Sequence, residues 1–169
     1  MYRNNKTKKN KVTKKNKVTK CNQKFALCPA AECVLNPFKQ KKGLCTCLVE
    51  NGINYSYGKK SCRNIASYKN KKNKNTEYIY STFSPILKTR KYKKIMCPAK
   101  NVNFNCMNQK CVVDIHDKRK AICECKVTNN EGKKWSTWEK TTKKYNNRCN
   151  FVSGSTPIMT AALQKAIKK

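Results

Sequence analysis

The twelve cysteines of this chain form two copies of one spacing pattern. Both copies contain the core spacing C-x4-C-x11-C-x-C, and only the gaps outside that core differ in length. The first copy comprises Cys21, Cys28, Cys33, Cys45, Cys47 and Cys62, and the second comprises Cys97, Cys106, Cys111, Cys123, Cys125 and Cys149. An even number of cysteines in a repeated spacing is typical of a disulfide framework. The pattern therefore predicts two related modules held together by disulfides.

The size of the two modules limits the kind of core that they can build. Units of about 40 and 55 residues bury too little apolar surface to be stable alone, and disulfides or metals usually supply the deficit. We therefore expect a small disulfide-rich, mainly β protein. It has a basic disordered tail (1–20), cysteine modules (21–62 and 97–152), a basic linker with one strand (63–96) and a short C-terminal α-helix (153–169).

The charge of the chain indicates its partners. Forty Lys and Arg residues face eight Asp and Glu residues, which gives a formal net charge of +32. Such a chain repels itself and attracts polyanions. Lysine greatly outnumbers arginine, which favours non-specific neutralisation of phosphate over bidentate reading of bases. The predicted partners are acidic protein surfaces, other subunits of an assembly, or nucleic acid bound without sequence specificity.

The lysines are concentrated in three segments that flank the cysteine modules. In the tail, the segment Lys8-Lys9-Asn10-Lys11-Val12-Thr13 recurs without change at positions 14–19. Such a segment is a solvated tail, a polyanion-binding arm that orders on contact, or a localisation signal. The candidate polyanion contacts are Lys8, Lys9, Lys11, Lys14, Lys15, Lys17, Lys69, Lys71, Lys72, Lys74, Lys91, Lys93 and Lys94.

Alternation of apolar and polar residues and β-propensity indicate several strands. They are predicted at 44–49, 53–57, 77–83, 110–115, 121–127 and 134–138. Asn51-Gly52 is a two-residue hairpin signal and predicts a turn between the first two of these strands. Ser84-Pro85 ends the third strand.

The C-terminus changes to a helical pattern. Thr156 is a good N-cap, Pro157 suits the first helical position, and apolar residues then recur at helical spacing up to Ile167. The apolar face of this helix packs on the second module, docks on another subunit, or lies on a membrane surface. No segment is long and apolar enough to span a membrane.

The cysteines could in principle bind zinc instead of forming disulfides. Zinc sites usually contain C-x2-C pairs or Cys and His together, but the chain has no C-x2-C and its single histidine is His116. A C-x-C pair cannot comfortably bond to itself, so each of its sulfurs needs a different partner. Disulfides are therefore favoured, although C-x-C pairs also occur in metal clusters. Six cysteines allow fifteen pairings, and spacing alone does not choose among them.

The order of the cysteines resembles that of an epidermal-growth-factor-like module. The resemblance covers 21–62 and 97–149 and implies pairing of the first cysteine with the third, the second with the fourth and the fifth with the sixth. The implied bridges are Cys21–Cys33, Cys28–Cys45, Cys47–Cys62, Cys97–Cys111, Cys106–Cys123 and Cys125–Cys149.

Catalysis is not predicted, because no nucleophile occurs in a recognisable setting with His116 and no cofactor motif is present. The N-terminus has no hydrophobic signal region, although the cysteines indicate an oxidising environment. The profile resembles a basic, disulfide-rich virion protein of an AT-rich large DNA virus, a class that oxidises virion proteins outside the secretory route. This resemblance implies a non-enzymatic structural virion component without cofactors. The alternatives are a secreted, extracellular or periplasmic, cysteine-rich binding protein whose signal has been removed, and a non-specific nucleic-acid-binding protein.

Overall fold

The computed structural model describes residues 17–58, 61–128, 132–141 and 149–168. This part of the chain is mainly β, as the sequence predicts. The strands are β1 (Val18–Leu27), β2 (Cys33–Leu35), β3 (Lys42–Tyr57), β4 (Tyr68–Lys69), β5 (Glu77–Thr82), β6 (Tyr92–Cys97), β7 (Asn103–Asn105), β8 (Lys110–Val113), β9 (Lys120–Thr128), β10 (Trp135–Lys140) and β11 (Val152–Ser153). The helices are α1 (Ile86–Thr89) and α2 (Pro157–Ile167), and a 3₁₀ turn covers Arg63–Ile65.

Nine of these strands form one sheet whose centre is the antiparallel pair β3–β9. β3 pairs on its other edge with β1 and β2, and β9 pairs on its other edge with β7 and β8. β6 and β10 form a separate two-stranded sheet. Apart from β6 and β10, the strands of both cysteine modules are therefore hydrogen-bonded to one another in a single sheet.

The central pair relates the two halves by a pseudo-two-fold axis. Cys45 lies opposite Cys123, and these are the fourth cysteines of their respective copies. Lys42 lies opposite Lys126 and Leu48 lies opposite Lys120, so the register runs symmetrically away from that point. Each half thus presents the same strand to the other, which is the arrangement of an isologous dimer interface.

Each half also contributes one strand that pairs with the other half. β5 follows the first module and pairs in parallel with β1 of its own half, but its other edge pairs with β8 of the second half. β11 follows the second module and pairs in parallel with β7, while Val152 bridges Glu32 of the first half. The pairings consequently close into circuits, of which one runs β3–β9–β8–β5–β1 and back to β3.

Each half ends in a helix that starts within a Ser/Thr-Pro-Ile motif. Ser84-Pro85-Ile86 spans the start of α1 at Ile86, and Thr156-Pro157-Ile158 spans the start of α2 at Pro157. The predicted C-terminal helix is confirmed, and the Thr156 side chain accepts a hydrogen bond from the backbone N–H of Met159. The two helices differ in length, since α1 ends after four residues whereas α2 continues for eleven.

All twelve cysteines are paired, but the order that the growth-factor resemblance implied is wrong. In both copies the first cysteine pairs with the sixth, the second with the fifth and the third with the fourth. The bridges are Cys21–Cys62, Cys28–Cys47, Cys33–Cys45, Cys97–Cys149, Cys106–Cys125 and Cys111–Cys123, and none of the six implied pairs is present.

The strand register explains this nested order. Cys33 lies directly opposite Cys45 in the β2–β3 pair, and Leu27 lies opposite Leu48, which brings the next residue, Cys28, to Cys47. Cys45 and Cys47 share the inward face of β3 because residues two apart point to the same side of a strand. Their sulfurs therefore reach two different partners on neighbouring strands, as expected for a C-x-C pair.

Four of the bridges form the centre of the core. The cysteines of the C-x-C pairs and their partners are buried with Ile79, Phe104 and Val113. The Sγ atom of Cys28 lies 3.5 Å from that of Cys123, so sulfur from both halves meets at the pseudo-two-fold axis. These sulfurs are close enough together to resemble metal ligands, but in disulfides they lack the thiolate form that zinc binds.

Three details differ from the sequence predictions. Asn51-Gly52 does not form a turn, because β3 runs through it while paired with β1 over residues 48–57, and Gly52 accommodates a φ of +115° within the strand. Val18–Lys20, assigned to the tail, belong to β1. The segment 63–96 holds β4, β5, α1 and most of β6 instead of one strand. Neither described helix is long and apolar enough to cross a membrane.

Candidate polyanion-binding surface

The β4–β5 hairpin carries the predicted polyanion contacts of the basic segment at 69–74, which follows the first cysteine module. Tyr68 pairs with Tyr78, and the backbone N–H of Asn70 donates to the carbonyl oxygen of Thr76 across the hairpin end. The Asn70 side chain accepts hydrogen bonds from the backbone N–H of Lys72 and, at 3.5 Å, of Asn73. Such bonds from Asn to nearby backbone groups organise turns, so the loop has a defined path.

The hairpin is attached to the scaffold at both ends. Upstream, Cys62 is bonded to Cys21 in β1, and the 3₁₀ turn that follows is held by Ile65, which is buried. Downstream, β5 enters the sheet between β1 and β8. The lysine loop therefore stands on a covalently and hydrogen-bonded support.

The charge of this hairpin is not neutralised within the described part of the chain. Lys69, Lys71, Lys72 and Lys74 are exposed, and none forms an ion pair there. The acid of the hairpin, Glu77, is bound by the ammonium group of Lys24 at 2.8 Å. We call Lys69, Lys71, Lys72 and Lys74 the lysine hairpin.

Two tyrosines and a further lysine lie at the base of this hairpin. The rings of Tyr68 and Tyr78 stack with centroids 5.1 Å apart and an interplanar angle of 27°. The Nζ atom of Lys110 lies 3.9 Å from the ring centroid of Tyr78 and 5.5 Å from that of Tyr68. A hydrogen bond with Tyr68 raises the pKa of Lys110 above its ordinary value, so this ammonium group is charged at neutral pH.

The tyrosines begin a row of side chains that continues across the outward face of the sheet. Tyr78 lies opposite Val112 of β8, and Val112 lies opposite Ile122 of β9. Tyr68, Val112 and Ile122 are 43%, 39% and 38% exposed, and with Tyr78 they lie side by side on adjacent strands. We call the row formed by Tyr68, Tyr78, Val112 and Ile122 the exposed stripe.

Lysines flank the exposed stripe on the same face of the sheet. Lys110 precedes Val112 by two residues and Lys120 precedes Ile122 by two residues, so both follow the alternation of their strands. Lys120 also pairs with Asp117, with its Nζ atom 3.5 Å from Oδ2, so part of its charge is neutralised. The stripe thus combines aromatic and aliphatic surface with a lysine on each side.

Most of the other acids in the described part of the chain are occupied by local partners. Glu50 binds the Arg90 guanidinium, and Glu124 binds the ammonium group of Lys39 at 2.7 Å. A hydrogen bond from Arg119 lowers the pKa of Asp117 to about 2. Within the described residues these pairs involve seven cations, so most of the positive charge remains available to a partner.

The remaining lysine candidates are dispersed. Lys17 is exposed immediately before β1, and Lys91 and Lys94 are exposed in or next to β6. Lys93 pairs with Glu139 at 3.0 Å, so part of its charge is neutralised. The predicted contacts Lys8, Lys9, Lys11, Lys14 and Lys15 lie outside the described residues.

A second feature is a groove at the pseudo-two-fold axis, on the side of the core away from β3 and β9. It is lined by equivalent residues of the two halves, such as Cys28 with Cys106 and Ser81 with Ser153, and α2 covers one side with Met159. The groove is open to solvent, and no charged side chain lines it.

His116, the residue nearest to a catalytic candidate in the sequence, lies in an exposed turn after β8. The side chain of Asp114 accepts hydrogen bonds from the backbone N–H of His116 and Asp117, and these bonds lower its pKa. The aspartates beside the histidine therefore form a turn, which is a structural use of these residues.

No family model, curated protein or solved structure matches this chain.

Proposed function

We propose that the protein is a non-enzymatic, disulfide-stapled structural protein that binds polyanionic surfaces. The lysine hairpin carries this proposal, because four exposed lysines that have no acidic partner among the described residues stand on a support held by a disulfide and by two neighbouring strands. A stiff support lowers the ordering cost of binding, so the same lysines bind more tightly than they would on a free loop. The excess of positive charge elsewhere adds long-range attraction.

The setting that we propose is an assembly such as a virion, where the protein clamps acidic protein surfaces or packaged nucleic acid. Six disulfides are compatible with an oxidising environment, and virion or extracellular surroundings both satisfy that requirement. The virion setting follows from the basic, lysine-rich profile of the sequence. Co-purification of the oxidised protein with particles tests it, and exclusive recovery in the secreted fraction contradicts it.

Binding to polyanions is tested with the oxidised full chain and three ligands: duplex DNA, heparin and polyglutamate. We expect binding to all three, with affinity that falls steeply as salt rises, because counterions are released from the ligand. For duplex DNA the log–log slope is about 0.9 per neutralised phosphate. Binding that is insensitive to salt, or restricted to one duplex sequence, contradicts the proposal.

The groove favours a second candidate function, a cysteine-rich binding protein for an uncharged ligand. Phe83 and Trp138 supply aromatic surface, and Ser81, Ser153 and Thr160 supply hydroxyl groups. The tryptophan gives a direct test, since a ligand in the groove changes its fluorescence. Trp138→Phe is the matched variant, and a signal that survives this substitution does not come from the groove.

A further inference from the structure

The exposed stripe contains more apolar surface than a purely electrostatic clamp requires. Lysines alone neutralise a polyanion, and neither heparin nor polyglutamate carries an aromatic ring for stacking. Tyr68 has one ring face against Tyr78 but is still 43% exposed, and it lies beside the lysine hairpin. A ligand that uses both features must carry negative charge and flat apolar groups along the same chain.

We infer that the exposed stripe and the lysine hairpin together bind single-stranded nucleic acid, whose bases stack on Tyr68 while its phosphates contact the lysines. This inference rests on the proposed polyanion binding and specifies the ligand class for the same surface. Proteins that bind single strands without sequence preference combine a positive groove with aromatic side chains in this way. Stacking accepts every base, which agrees with the shortage of arginine for base reading.

The geometry fits an extended strand. Neighbouring β-strands lie about 4.8 Å apart, so the stripe from β4 through β5 and β8 to β9 is roughly 14 Å long. Lys110 and Lys120 lie on the same face but on opposite sides of the stripe, and Lys71, Lys72 and Lys74 lie past the β4–β5 turn, on the side of the stripe where Lys120 lies. Bases therefore meet apolar surface along the stripe, and the backbone meets charge beside it.

The competing occupants fit this surface less well. A duplex keeps its bases stacked inside the helix, where Tyr68 cannot reach a ring face. A second copy of the chain brings a further +32 charge to a surface that is already basic. An acidic peptide satisfies the lysines but leaves the stripe uncovered.

The test compares a fluorescein-labelled oligothymidylate of about 15 nucleotides with heparin, using the oxidised full chain at near-physiological salt. Tyr68→Ala removes the stacking surface, and Tyr68→Phe retains it. We expect Tyr68→Ala to weaken oligothymidylate binding about tenfold and heparin binding less than about twofold. Tyr68→Phe should leave both affinities within about twofold of the wild type.

A charge variant separates the two contributions. Replacing Lys71, Lys72 and Lys74 with Gln should weaken the binding of both ligands. It should also lower the slope of log affinity against log salt for the oligothymidylate by about two, at roughly 0.7 per phosphate. The charge-matched control replaces Lys88, Lys100 and Lys168 with Gln. These lysines are exposed elsewhere in the fold, and this variant should lower the slope by less than one.

Three results are decisive. If Tyr68→Ala weakens the binding of heparin and of oligothymidylate equally, or weakens neither, the stacking inference is overturned while polyanion binding stands. If the wild type binds neither ligand, the proposed function itself fails. A bromodeoxyuridine oligonucleotide provides a test without any variant: photocrosslinks in the peptide that contains Tyr68 support the inference, and crosslinks confined to residues 1–16 overturn it.

Discussion

The innermost bridge of each copy joins the third cysteine to the fourth, and removal of these two bridges tests the duplicated, nested disulfide framework. We compare Cys33→Ala/Cys45→Ala with Cys111→Ala/Cys123→Ala. Each bridge spans 12 residues, and in each copy the surrounding bridge closes 19 residues, so the chain-entropy effect must be equal. For a loop of 12 residues the entropy term is about 2.8 kcal/mol at 25 °C.

The surrounding bridge reduces this figure slightly. In the unfolded first copy, Cys28–Cys47 provides a shorter covalent route of about seven residues between positions 33 and 45, which lowers the term to about 2.4 kcal/mol. The loss of two buried sulfurs adds about 1 kcal/mol. Each double variant should therefore lose about 3–4 kcal/mol of unfolding free energy, and its m-value should rise because the unfolded chain is less constrained.

Equilibrium unfolding in guanidinium without reductant measures these losses, with far-UV circular dichroism as the signal. A difference of more than about 1 kcal/mol between the two double variants refutes the structural equivalence of the halves. A loss below about 1 kcal/mol in both variants refutes the role of the bridges in stability. Peptide mapping is the control for pairing, and recovery of Cys21 linked to Cys33 instead of Cys62 contradicts the nested order. Only Thr46 separates Cys45 from Cys47, so fragmentation at that residue is needed to resolve their partners.

Three further predictions concern single positions. Gly154→Ala places a Cβ atom 2.4 Å from the Trp135 ring and should lower the free energy of unfolding by about 2–3 kcal/mol, as measured by denaturant titration. Thr156→Ala removes the cap of α2 and should cost about 1 kcal/mol in the same assay; an unchanged midpoint refutes the capping role. Asp117 should titrate by NMR near pH 2, and Arg119→Gln should move that midpoint towards 4. Because the folded pKa is lowered, the contribution of this carboxylate to stability is complete above about pH 4 and disappears as pH falls towards 2.

Local patterns in the sequence were sufficient to predict much of the secondary structure. The alternation around Cys123 predicts β9, and Thr156-Pro157 predicts the start of α2, because both signals depend on neighbouring residues alone. The turn predicted at Asn51-Gly52 was wrong for the same reason, because that signal also depends on neighbouring residues alone. A turn signal competes with pairing to a distant strand, and β1 supplied an unbroken partner for residues 48–57 of β3.

Non-local information was needed for the bridges and for the candidate surface. The disulfide order depends on which strands pair and in what register, and six cysteines do not encode that choice. The lysine hairpin was recognisable as a run of charge, whereas Tyr68, Tyr78 and Lys110 come together through the β4–β5 and β5–β8 pairings. The recurrence of Ser84-Pro85-Ile86 as Thr156-Pro157-Ile158 was visible in the sequence and would have extended the duplication beyond the cysteines.

The reciprocal placement of β5 and β11 determines when folding can finish during synthesis. The first half leaves the ribosome with β5 lacking β8 and with Glu32 lacking Val152, so it stays incomplete until almost the entire chain has emerged. The architecture resembles a two-fold dimer whose two subunits share edge strands and are joined into one polypeptide. If the chain is cut between its halves, each fragment holds the missing edge of the other, and mixing them reconstitutes the sheet by complementation.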